Sequence, residues 1–179
     1  DFGLMPAGII ALDIARIEAG LLLIEIDYIS SRRALISDHL SSPYEIGLGW
    51  TVGLNKPDFV GRAALADEAA RKPAWRFVGL DVSWTGLEEL FGRADLPPQV
   101  AGRASREPLP IFHRGRQVGQ ATSTTFSPIL KKYLAIGTVE ADYATPGTDL
   151  ELEITVVYSR QKASARVVRL PFYEPAWKK

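Results

Sequence analysis

The chain has 179 residues, no cysteine, and 21 Lys+Arg against 21 Asp+Glu, a formal net charge of zero. That length suits one ordinary domain or two small ones, and a hydrophobic core can form without cross-links. The composition excludes disulfides, thiolate nucleophiles and Cys-ligated metal centres, and the balanced charge argues against a dedicated nucleic-acid surface.

The first residues, Asp1-Phe2-Gly3, carry neither an initiator Met nor a basic leader, so the chain reads as a piece of something longer. Ile10, Ile14, Ile17 and Leu21 fall at helical spacing between Pro6 and Gly20, which predicts a helix with one buried face. Leu21 to Tyr28, apolar but interrupted by Glu25 and Asp27, suits a strand. Its apolar core, Leu21 to Ile24, is far short of the roughly 20 residues of a membrane span, so no membrane contact is expected. Ser30 to Ser42 reads as an exposed excursion. A second strand, Gly47 to Leu54, then leads to a helix that Asp58 can cap and Pro73 must end. Arg71 and Lys72 in its last turn have the sign that the helix dipole favours.

A domain boundary falls at Lys72 to Ala74, because the texture changes beyond it. Trp75 to Val82 alternates like a strand. Thr85-Gly86-Leu87-Glu88 has the form of a capping box, with Leu87, Leu90 and Phe91 inward, and predicts one inserted helix closed by Pro97 and Pro98. Four more pieces follow an opening strand Ile111 to His113 and a tight Arg114-Gly115 turn: Gln117 to Thr125, Tyr133 to Ala141, Leu150 to Tyr158 after a Pro146-Gly147 turn, and Lys162 to Leu170. Five or six short strands with tight connections predict a small barrel or sandwich.

His39 and His113 are the only histidines and neither has an acidic cluster nearby, so neither a metal site nor a Ser-His-Asp triad is supported. They read as a loop residue and a strand-edge residue. No Gly-rich phosphate motif precedes a helix. Glu18 is the residue that breaks its local rules. A carboxylate in the last turn of a helix meets the negative end of the dipole, and Ile17, Ala19 and Leu21 around it are apolar. Such a group must be paired. The partner is either a planar ligand offering two parallel N–H donors or an internal cation, with Arg16 and Asp13 close by. Trp50 could stack on a flat ring or fill the core, and Lys56 and Arg62 could meet an anionic ligand tail or be solvated surface. The hydroxyl-rich run Thr122 to Thr125 with Ser127-Pro128 reads as a turn satisfying its own backbone.

The string Ala11-Leu12-Asp13-Ile14-Ala15-Arg16-Ile17-Glu18-Ala19-Gly20 resembles the A-R-D-x-L-R-x-E-A-G segment of the glycine cleavage T-protein (aminomethyltransferase) family. The resemblance continues, in the family's order, through Gly47-Leu48-Gly49-Trp50-Thr51-Val52 and Lys56-Pro57-Asp58-Phe59-Val60-Gly61-Arg62. Gly119-Gln120-Ala121-Thr122-Ser123, Phe126-Ser127-Pro128 and Arg169-Leu170-Pro171-Phe172-Tyr173 complete it. It implies an α+β chain: residues 1–72 are the tail of a folate-binding α/β domain, and 75–179 a small antiparallel β-barrel, Greek-key or jelly-roll-like. It also implies tetrahydrofolate as cofactor and a small methylated or aminomethyl donor as substrate; the missing signal together with the folate pool leads to the expectation of a cytoplasmic setting. On the matching positions, Glu18 would hold the pterin ring, with Lys56 the basic residue near the folate and Trp50 beside it. The family's catalytic aspartate belongs to an amino-terminal part not contained in these residues, so no catalytic residue is assigned, and no metal is implied. Leu12, Ala15 and Thr124 depart from the common pattern and point to a divergent branch. Two other readings are a non-enzymatic folate binder, like relatives linked to iron–sulfur assembly, and an inactive isolated barrel; the absence of a Cys-containing signature favours the transferase.

Overall fold

A computed structural model describes residues 2–176. Helix α1 spans Ile9–Glu18 and helix α2 spans Arg62–Arg71; strand β1 (Trp75–Val82) and helix α3 (Trp84–Gly92) follow. Five further strands complete the chain: β2 (Leu109–His113), β3 (Arg116–Ser127), β4 (Lys132–Glu140), β5 (Asp149–Val156) and β6 (Ser159–Val168). The six strands close into an antiparallel barrel in the order β1-β4-β3-β2-β5-β6. Strands β2, β3 and β4 follow one another as hairpins and β5 returns beside β2, which is a Greek key.

Two-residue turns set the hairpin registers. Arg114 and Gly115 join β2 to β3, and Val157 and Tyr158 join β5 to β6, all four at positive φ, whose twist matches that of the flanking strands. Along β4, Ala135 and Val139 face the barrel interior with Leu80, Ile111, Leu152 and Val167, while Leu134 and Ile136 face outward. The strand alternation thus feeds two cores. The outer one is covered by Ile17 of α1, with Phe77, Leu170 and Phe172 packed around it.

The expected strands of the barrel are present, each within a few residues of its sequence bounds, and Leu87, Leu90 and Phe91 of α3 are buried as the spacing requires. Its cap differs: Ser83, not Thr85, is the N-cap, accepting from the Gly86 N–H at 3.1 Å. The helix ends at Gly92, well before Pro97.

The first 72 residues depart further from expectation. In α1 only the last turn is buried, at Arg16, Ile17 and Glu18, while Ile10 and Leu21 are exposed. Leu21 to Tyr28 is a turn, because the Asp27 carboxylate accepts from the Leu23 N–H at 2.7 Å and the Asp27 N–H returns to the Leu23 carbonyl at 2.8 Å. That local bond competes with strand pairing. Gly47 to Leu54 holds a short 3₁₀ turn at Gly49–Thr51 instead of a strand. Helix α2 is capped by Gly61 at φ 89, with Asp58 outside it, and ends before Pro73. The Ser30 to Ser42 excursion is largely exposed and closed at its base by a bridge between Ile29 and Leu40. No helix among the described residues is long and apolar enough to cross a membrane.

Candidate functional site

Helix α1 ends on the outer wall of the barrel, where β3 and β4 meet it. Glu18, its last residue, is 5% exposed. Its Oε1 accepts from the Ser127 hydroxyl at the end of β3, at 2.5 Å, and Ser127 Oγ in turn accepts from the Leu130 N–H at 3.0 Å. No cation lies within 4 Å of the Glu18 carboxylate among the described residues: Arg16, the internal partner considered from sequence, is engaged elsewhere. Oε2 takes no hydrogen bond from the described residues. Of about four acceptor positions on the carboxylate, Ser127 uses one. What remains is a buried carboxylate with acceptor positions that the described residues leave unused.

Arg16 uses all three guanidinium nitrogens. Nε donates to Asp13 at 2.8 Å, Nη1 to Asp27 at 2.7 Å and Nη2 to the Ser123 hydroxyl at 2.6 Å. Asp27, itself buried, accepts four donors: Arg16 and the Leu23 N–H on Oδ2, Thr122 and Ser123 on Oδ1. Thr122 and Ser123 are sequence neighbours, whose side chains would point to opposite faces of a regular strand. A bulge in β3 between Ala121 and Ser123 opposite β4 lets both hydroxyls reach one oxygen. Asp13 is also held by Arg106 at 2.9 Å. Burial alone would raise the Asp13 carboxyl, but the hydrogen bonds and charges of Arg16 and Arg106 outweigh it and hold it below the usual carboxylate range.

The hydroxyl run expected to serve its own turn is therefore part of β3. Ser123, Thr124, Thr125 and Ser127 are buried, and three of these residues, with Thr122, meet Asp27, Tyr133 and Glu18. These contacts were missed from sequence because the partners lie far apart along the chain. The available signal was Asp27, an acid inside an otherwise apolar stretch.

Trp50 sits in the 3₁₀ turn and is 83% exposed, so it does not fill the core. Lys56 is exposed and borders a surface cavity of about 420 Å³ with Val52, Phe59 and Leu65. Arg62 donates to the Leu54 carbonyl at 3.1 Å, holding the loop before α2. No hydrogen bond or ion pair joins Glu18 to Lys56 among the described residues, and Glu18 does not line the Lys56 cavity. His39 lies in the excursion and His113 ends β2 against the Tyr143 ring, with centroids 4.8 Å apart.

The glycine cleavage T-protein C-terminal barrel domain family matches residues 97–174. An aminomethyltransferase of Parasynechococcus marenigrum (strain WH8102) is 37% identical over 175 residues, which cover 97% of this chain and 39% of that protein. One from Desulforamulus reducens is 33% identical over 172 residues, 96% of this chain and again 39% of the relative. The chain thus spans well under half the length of these relatives. The crystal structure of glycine cleavage system aminomethyltransferase T from Bartonella henselae shares the fold with a TM-score of 0.65 at 24% identity, covering 91% of this chain and 38% of that one. Residues 97–174 thus belong to the glycine cleavage T-protein C-terminal barrel domain family, and nearly the whole chain is similar to aminomethyltransferases.

Proposed function

We propose that the chain is the carboxy-terminal part of a tetrahydrofolate-dependent one-carbon transferase in which Glu18 holds the pterin ring. In this reading residues 1–72 belong to the folate-binding domain and residues 75–179 form the barrel domain. The observation that carries it is the state of Glu18: buried, tied at one oxygen by Ser127, and with no cation and no second hydrogen-bond donor on its carboxylate among the described residues. A carboxylate whose burial served stability alone would be expected to have a charge partner, as Asp27 has in Arg16. A pterin edge presents an amino group and a ring N–H side by side, two donors that fit the acceptor positions Ser127 leaves.

Tetrahydrofolate, when bound, supplies the nitrogen that receives the one-carbon unit from a small aminomethyl or methylated donor. The part of this chain is to orient it. Glu18 fixes the ring, while Trp50 and Lys56, both exposed ahead of α2, offer a stacking face and a cation for the anionic tail. Calorimetric titration of tetrahydrofolate into the full-length protein carrying this chain, with Glu18→Gln alongside, tests the reading. Loss of a hydrogen bond to a charged group costs about 1.5–3 kcal/mol, so the variant is expected to bind roughly 10- to 150-fold more weakly. Equal affinity of the two proteins would refute the role of Glu18.

A further inference from the structure

The charged cluster next to Glu18 has no part in that reading, yet Arg16 donates from all three guanidinium nitrogens and Asp27 accepts four donors. Arg16 lies two residues before Glu18 on the same terminal turn of α1. Its guanidinium reaches Asp27 in the turn that follows the helix and Ser123 in β3. Asp27 is met from the other side by the Thr122 and Ser123 hydroxyls, which only the β3 bulge brings to one oxygen. Four residues thus fasten three separate pieces of chain: the helix end, the 20–28 turn and the barrel wall. Ser127, the hydroxyl that holds Glu18 Oε1, stands on that same strand four residues beyond Ser123.

This arrangement fixes one particular relation. If the end of α1 slides or rotates against β3, the Arg16 to Ser123 bond at 2.6 Å and the Glu18 to Ser127 bond at 2.5 Å are both broken. The one buried apolar residue on this turn, Ile17, packs against Leu134 and Ile136 and is compatible with small rotations, because dispersion contacts are not directional. A guanidinium fork bonded at three nitrogens is not. Buried ion pairs are also a poor source of net stability, because desolvation offsets much of their attraction, whereas fixing a geometry is a use they serve well.

We propose that the Arg16–Asp27–Thr122/Ser123 cluster is a positioning device: it locks the last turn of α1 to the bulged β3 and so fixes the Glu18 carboxylate in its ligand-binding attitude. Asp27 is the hub and a positioning residue, touching no ligand. The proposal rests on the reading of Glu18 as the folate-binding carboxylate, but the lock itself can be tested without ligand.

The variants are Asp27→Asn, which keeps the shape and removes the charge, and the milder Thr122→Val, which deletes one donor and serves if Asp27→Asn does not fold. Each is made in the full-length protein, alone and combined with Glu18→Gln. Hydrogen exchange without ligand is expected to show faster exchange at the α1 terminal turn and the 20–28 turn, with β5 and β6 unchanged. Tetrahydrofolate titration is expected to show at least about 10-fold weaker binding for Asp27→Asn alone, but less than about a 2-fold further loss in the Glu18→Gln background, since coupled sites are not additive. Equal, additive losses in both backgrounds would overturn positioning through Glu18. Unchanged exchange at α1 in either variant would overturn the lock whatever the titration shows. If Glu18→Gln leaves binding intact while α1 exchange still rises, the lock stands and the ligand reading of Glu18 is what fails.

Discussion

Truncation of Ile17 to Ala separates the two pictures of α1 most sharply. The helical stripe in the sequence treats Ile10, Ile14, Ile17 and Leu21 alike, whereas in the structure Ile17 is 0% exposed and Ile10 is 56% exposed. Ile17 packs against Leu134 and Ile136 on the outward face of β4, with Phe77, Leu170 and Phe172 completing the enclosure. Removing three carbons from so closed a site forfeits their burial and leaves a cavity that rigid strands cannot refill, a loss of about 2–5 kcal/mol. Total stability of a domain is about 5–15 kcal/mol, so this is a large fraction. With a urea m-value of about 2 kcal/mol/M, the unfolding midpoint should fall by roughly 1–2.5 M. The assay is urea titration followed by tryptophan fluorescence and far-UV circular dichroism, with Ile10→Ala as the matched control. Ile10→Ala should stay within about 0.5 kcal/mol of the parent. Equal effects for the two substitutions, or an Ile17→Ala loss below about 1 kcal/mol, would refute the placement of α1 on the barrel wall.

Two further outcomes follow from local chemistry. Ser83→Ala removes the acceptor of the Gly86 N–H and should cost about 1 kcal/mol, whereas Thr85→Ala, two residues later and exposed, should cost far less; reversed magnitudes in thermal or urea unfolding would favour the Thr85 cap. The Asp13 carboxyl is held below its ordinary value of about 3.9, so its contribution to stability is complete well above that pH and is lost as pH falls through the folded value. Unfolding midpoints of the parent and Asp13→Asn should therefore differ at pH 6 and draw together as pH falls below the ordinary carboxylate range, and a gap independent of pH would contradict the role assigned to Arg16 and Arg106.

The barrel was legible because its segments are short and apolar and several are bounded by tight turns whose residues accept positive φ, such as Arg114-Gly115. The first 72 residues were less so, for a physical reason. Leu21 to Tyr28 and Gly47 to Leu54 have strand-like composition, but a strand exists only with a partner, and propensity carries no information about partners. The side chain of Asp27 then decides the first segment locally by binding the Leu23 N–H. Glu18 was legible as a misfit. Its mate Ser127 was not, since the two are 109 positions apart and a buried strand hydroxyl looks, in sequence, like any turn serine. The β3 bulge was equally invisible: it shows only as two neighbouring hydroxyls meeting one carboxylate.

The three consecutive buried residues at the end of α1 explain why this turn can hold a carboxylate at all. Successive helix positions are about 100° apart, so Arg16, Ile17 and Glu18 together sweep about 200° of the helix circumference. One flat wall can cover only part of that arc. The rest must be enclosed by other pieces, and it is. The Leu21 N–H folds back onto the Arg16 carbonyl at 2.8 Å, and the Tyr173 N–H of the closing segment donates to the Glu18 carbonyl at 3.0 Å. Gly20, at φ 66, makes that reversal, and a side chain there would stand 3.0 Å from the Leu170 Cβ. The helix end is therefore held by the barrel wall, the turn after it and the chain's closing segment at once. Glu18 cannot gain a better partner by shifting the helix, because each shift breaks bonds on another side. The Glu18 to Ser127 bond at 2.5 Å is fixed in the same way, so the proposed pterin contact would meet a carboxylate whose attitude the fold already sets.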